Sequence, residues 1–107
     1  FSNDATPPDL FVIPTARPGT AKRVTQSPLP AFHDQTWANI GYAEFPSHVD
    51  GKPLVARISL PANYQPGRRY PLIVGSVYSD AVRNQWGGRR AHPTWGLDQY
   101  FVSQGYI

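Results

Sequence analysis

Few side chains in this chain have the means to do covalent or acid–base chemistry. A serine nucleophile raised on a strand-to-helix elbow sits in G-x-S-x-G, where the glycines let its Oγ stand clear of the backbone. No such pentapeptide occurs. Ser76 follows Gly75 in "GSVYS", but it lies inside a strand-like run, where a packed hydroxyl is the plainer reading. The histidines are His33, His48 and His92, in a connector, a turn and a polar loop. They form neither H-x-x-x-H nor H-E-x-x-H, and no Cys exists to complete a zinc set, so no metal is expected. "GGRR" (87–90) has glycines but no G-K-[ST] and no strand-to-helix context, so a phosphate loop is not expected either. No cofactor follows from these patterns.

Charge and composition narrow the classes further. The net charge is +3, with basic pairs at Lys22-Arg23, Arg68-Arg69 and Arg89-Arg90. No nucleic-acid motif accompanies them, so they read as solvated surface and no nucleic-acid partner is expected. No apolar run approaches 18 residues, hence no membrane span is expected. With zero Cys, disulfides are excluded and the compartment stays open, periplasmic or secreted as readily as cytoplasmic. The 12 prolines and 9 glycines are spread through 107 residues, which suits short strands broken by turns better than a helical bundle.

The elements that must position any site follow from period and punctuation. "DLFVIPT" (9–15), a turn at "ARPGTA", and "KRVTQ" read as a short hairpin. "SPLPAFHDQTW" (27–37) has no clean period and reads as a connector. "IGYAEFPS" (40–47) and "PLVARISLP" (53–61) flank Asp50-Gly51, a strong hairpin signal. The second strand alternates, with Leu54, Ala56, Ile58 and Leu60 on one face and Val55, Arg57 and Ser59 on the other. "YPLIVGSVY" (70–78) does not alternate, which implies burial on both faces, as in a parallel sheet. A loop leads to Thr94 as a cap, then a helix over "WGLDQYFVSQ" with Trp95, Leu97, Tyr100 and Phe101 at helical spacing. Gly105 is a left-handed stop, and Tyr106-Ile107 open another strand. Strand, crossover helix and strand make a βαβ unit still missing most of its last strand, so the chain reads as part of a larger mixed α/β protein.

In this order and spacing the elements resemble a known family. "DGKPLVARISLPANYQPGRRYPLIVGSVYS" followed by "WGLDQYFVSQGYI" is similar to the start of the catalytic domain in the prolyl oligopeptidase family of serine peptidases. The nearest branch is that of dipeptidyl peptidase IV and the acylaminoacyl-peptidases. "PPDLFVIPT" with "AKRVTQSPLP" resembles the last strands of the β-propeller preceding that domain. The resemblance implies the end of a propeller and a connector over residues 1–38, then the N-terminal part of an α/β-hydrolase domain over 39–107. It implies hydrolysis of peptide bonds through an acyl-enzyme, a peptide substrate, and a parent protein that can be homo-oligomeric. The Ser, Asp and His of the triad would lie outside this chain, and this chain alone is expected to be inactive.

One residue matches a catalytic role in that family. An acyl-transfer enzyme needs donors aimed at the oxyanion of its tetrahedral intermediate. The family takes one from a Tyr hydroxyl in a V-Y-G-G-P-like motif, and Tyr78 in "SVYSDA" occupies that place. From spacing alone, the favoured reading of Tyr78 is a strand-end aromatic packing on the helix that begins near Trp95, and the oxyanion role rests on the resemblance. The chain also departs from the family: Ser79-Asp80-Ala81 stands where glycines are usual. Asp80 would bring a negative charge toward a developing oxyanion unless it is paired, with Arg83 as the nearest cation in sequence. Three alternatives therefore stay open: a catalytically silent homologue, a β-rich binding module using Trp37, Trp86 and Trp95, and an esterase or amidase on the same scaffold.

Overall fold

The structure is a computed structural model, and it describes residues 1–16, 18–75, 82–87 and 95–107, with the backbone alone at Trp95. It is a mixed α/β arrangement of two antiparallel two-stranded sheets and two helices. The chain divides into two compact units, one of Phe1–Gln35 with Asn84–Trp86, the other of Thr36–Arg83 with Gly87–Ile107.

The first unit holds the expected hairpin in a much shorter form. β1 (Phe11–Val12) pairs with β2 (Lys22–Arg23), with Phe11 opposite Arg23 and Val12 opposite Lys22. A further backbone bond runs from Val24 N–H to the Leu10 carbonyl at 2.9 Å. The β-branched run thus makes strand only where a partner aligns; Ile13 stays 54% exposed. The segment read as a connector contains a short helix, α1 (Pro30–His33). Pro30 sits in its first turn, where the absent N–H costs nothing and the fixed φ favours helix. Two prolines in "SPLP" obscure any period, which is why the sequence does not announce it.

The second unit is built on β3 (Asn39–Pro46) and β4 (Pro53–Leu60), in register from Asn39 opposite Leu60 to Pro46 opposite Pro53. Pro46 and Pro53 occupy a rung that needs no donor, since the ladder bond at the next position, Ser47 N–H to Lys52 O, is made. The turn closes through Ser47 N–H to Lys52 O and Gly51 N–H to Ser47 O, each 2.8 Å, with Gly51 at φ +71°. Asp50 accepts from Lys52 Nζ at 2.9 Å, and this contact, with the Ser47 side chain, lowers its pKa from the ordinary carboxylate value.

Helix α2 (Trp95–Ser103) meets β4 at Arg57. Arg57 Nη1 lies 3.9 Å from Asp98 Oδ2 and donates to Ser59 Oγ at 3.3 Å; its side chain is only 11% exposed. Ala38 N–H donates to Gln99 Oε1 at 3.0 Å. The less exposed positions of α2 are Asp98, Gln99 and Phe101, each half-buried, and Val102, which is buried. Of the apolar stripe read from the sequence, Leu97 and Tyr100 are exposed, Phe101 is half-buried, and the Trp95 side chain lies outside the described residues.

The end of α2 is set by Gly105 at φ +85°. Tyr106 N–H bonds to Phe101 O at 3.1 Å and Gly105 N–H to Val102 O at 3.0 Å, the paired bonds of a Schellman motif. Phe101 and Tyr106 add the accompanying ring contact, with centroids 5.7 Å apart. The motif turns the chain so that Ile107 N–H reaches Pro71 O at 2.9 Å and Ile73 N–H reaches Ile107 O at 2.8 Å. One residue bonding to both neighbours of Leu72 is the pattern of a parallel bridge. The segment is not buried on both faces, as its sequence suggested: Leu72 is 66% and Val74 84% exposed.

Gly105 is thus the hinge on which that bridge depends. A Cβ there meets no atom within 4 Å, so Gly105→Ala should act through the backbone alone. Holding Ala at positive φ should cost about 1–2 kcal/mol. Amide exchange at Ile73 should then accelerate about tenfold. Unchanged Ile73 protection would disconnect the helix stop from the bridge.

Candidate functional site

Tyr78, the residue the sequence singles out, lies outside the described residues, as do Ser76, Ser79-Asp80-Ala81, Arg89, Arg90, Thr94 and His92. Upstream stands the Pro71–Ile73 segment bridged to Ile107. Downstream, Val82 is 44% exposed and the Arg83 carbonyl accepts from the Tyr42 hydroxyl at 3.2 Å. Tyr42 sits on the Arg57 face of the β3–β4 sheet, opposite Arg57 itself. That hydrogen bond ties the Arg83 backbone to the hairpin.

The other candidates are placed singly. His33 ends α1 with its ring edge-on to Phe32 at 5.3 Å, and His48 lies exposed in the β3–β4 turn. Trp86 packs on Phe32 at 5.3 Å, Trp37 is partly buried before β3, and the Trp95 side chain is outside the described residues. Arg68 stands over the Tyr70 ring at 5.4 Å, and Tyr70 lies against Tyr64 at 5.2 Å, so Arg68 belongs to a local aromatic turn. Among the described residues no group of three His, Cys, Asp or Glu is placed to hold a metal. A shallow open groove at the hairpin end is lined by Glu44, Phe45, Pro46, Gly51 and Pro53.

The most developed polar cluster is one that sequence reasoning missed. The Asp9 side chain is fully buried. Its Oδ1 accepts from Thr25 Oγ1 at 2.6 Å and from the Ser27 N–H and Oγ, each at 2.8 Å, while Arg23 Nη2 donates to Oδ2. Thr25 Oγ1 in turn accepts from Leu10 N–H at 2.9 Å. The Thr25 hydroxyl above all, then the Ser27 amide and hydroxyl and Arg23, hold the Asp9 carboxyl far below its ordinary range, against the opposing pull of burial. A carboxylate so filled with donors is a poor proton acceptor. The cluster is a latch that ties the entry to β1 onto the segment leaving β2. The alternation Arg23, Thr25, Ser27, three donors at period two, is the signal that could have found it. Comparison of the chain with family models, with curated proteins and with solved structures found no match.

Proposed function

We propose that this chain is the propeller-to-hydrolase junction of a serine peptidase of the prolyl oligopeptidase type. The boundary lies near residue 38, and Tyr78 supplies an oxyanion donor. The observation that carries the reading is the connection from Pro71–Ile73 through α2 to Ile107. A helix that joins two segments paired in parallel is how the sheets of α/β enzymes grow. The antiparallel β3–β4 hairpin precedes it, in the order the sequence resemblance implies. The peptide's acyl group passes to a Ser outside residues 1–107, and the Tyr78 hydroxyl meets the oxygen that gains charge.

A serine-directed phosphonate tests this on the protein translated from the whole coding sequence. The expected adduct falls on a Ser within G-x-S-x-G, downstream of Ile107. A whole protein with no such pentapeptide and no adduct would overturn the proposal.

A further inference from the structure

Asp50 is the one Asp or Asn in this sequence that a Gly follows. Such a pair can react with itself. The Gly51 nitrogen can attack the Asp50 side-chain carbon Cγ, because glycine has no Cβ to crowd the approach and its backbone turns freely. An N–Cγ bond forms, and the carboxyl OH leaves with the amide proton as water, closing a succinimide ring. Water then opens the ring at either carbonyl. Opening at the side-chain carbonyl restores Asp. Opening at the main-chain carbonyl routes the chain through the side chain, as an isoaspartate with one more backbone carbon.

Ring closure has two requirements, and the β3–β4 turn opposes both. The Gly51 N–H must be free to give up its proton and approach Cγ, yet it donates to Ser47 O at 2.8 Å. The carboxyl must be neutral, since an ionised one would have to expel oxide. Here Asp50 Oδ2 pairs with Lys52 Nζ at 2.9 Å, and Oδ1 accepts from the Lys52 N–H at 3.3 Å. Donors on both oxygens favour the anion and tether it toward residue 52. We propose that Asp50-Gly51 is a site of spontaneous isoaspartate formation that the closed turn holds shut, with Lys52 as its lock. The contacts that hold it all lie within residues 47–52, so the site is independent of the peptidase proposal. Isomerisation would lengthen the turn by a carbon. The Ser47–Lys52 and Gly51–Ser47 bonds that close it could not then both form in the present register.

The test compares the protein translated from the whole coding sequence with a peptide of residues 45–54, too short a hairpin to hold the turn closed. After incubation at neutral pH, peptide mapping separates isoaspartate from aspartate at position 50 by elution at equal mass. The peptide should accumulate isoaspartate at least about tenfold faster than the folded protein, whose turn must open first. Lys52→Ala in the protein should isomerise about two- to fivefold faster than the unaltered protein, the usual worth of a surface ion pair. Asp50→Glu should form none, because its side chain would have to close a larger ring. No isoaspartate in the peptide would overturn the site, and equal rates in peptide and protein would overturn the closed turn. Lys52→Ala no faster than the unaltered protein would overturn the lock. Should Lys52→Ala disturb the hairpin, Lys52→Arg keeps the charge and should stay slow. A fast rate in Lys52→Arg with the hairpin intact would overturn the ion pair's part.

Discussion

Tyr78→Phe in the protein translated from the whole coding sequence should lower kcat for a peptide substrate by about 10²- to 10³-fold, or about 2.7 to 4 kcal/mol of transition-state stabilisation. The change removes a hydroxyl and keeps the ring, so packing is preserved while a donor disappears. KM should move little, because the ground-state carbonyl oxygen does not stand where the oxyanion will. A Tyr78 that only packs would leave kcat within about twofold, which steady-state kinetics resolve easily. Asp80→Gly, assayed beside it, probes the departure from the family's glycine-rich loop. It should raise kcat if the Asp80 charge opposes the developing oxyanion, since removing a like charge favours the anionic intermediate. Falling activity in Tyr78→Phe with rising activity in Asp80→Gly would establish that the loop holds the oxyanion and is restrained by its own carboxylate.

The parts of this fold legible in the sequence are those fixed by local chemistry. The β3–β4 hairpin follows from period two and an Asp50-Gly51 turn, with Gly51 at positive φ as such turns require. The stop of helix α2 follows from a left-handed Gly105, and here the Phe101–Tyr106 contact reinforces the turn. What the sequence misjudged depends on partners that no local pattern names. Leu72, Ile73 and Val74 read as buried on both faces because an aliphatic run fits such a strand. Whether neighbours cover it is not written in the run itself, and here its side chains are exposed. Likewise Leu97 and Tyr100 have helical spacing, but they are exposed, and Asp98, Gln99, Phe101 and Val102 take the less exposed positions. Asp9 escaped notice because a lone carboxylate before a strand looks like solvent-facing punctuation, and its partners lie 14 to 18 residues onward.

That latch leads to the second large effect, expected in the first unit. Asp9→Ala leaves the Thr25 hydroxyl, the Ser27 amide and hydroxyl and the Arg23 guanidinium without their shared acceptor. Only short pairing holds β1 to β2, so the hairpin has little else to keep it closed. Exchange protection at the Val24 and Ser27 amides should fall to that of an open segment, while amides of the β3–β4 hairpin keep theirs. Asp9→Asn retains one acceptor oxygen for Thr25 and Ser27 but turns an NH₂ toward Arg23, and should fall between the two. Acid should mimic the substitution in a definite direction. Folding lowers the Asp9 pKa, so the folded form binds its proton less readily than the unfolded form does. The latch's contribution is then complete above the ordinary value of 3.8 and declines as pH falls below it, toward the depressed folded value. In Asp9→Asn that site no longer titrates, so the acid loss of Ser27 protection should flatten. Acid sensitivity equal in the two proteins would assign it to another carboxylate, and full Val24 protection in Asp9→Ala would show that β1 and β2 hold without the latch.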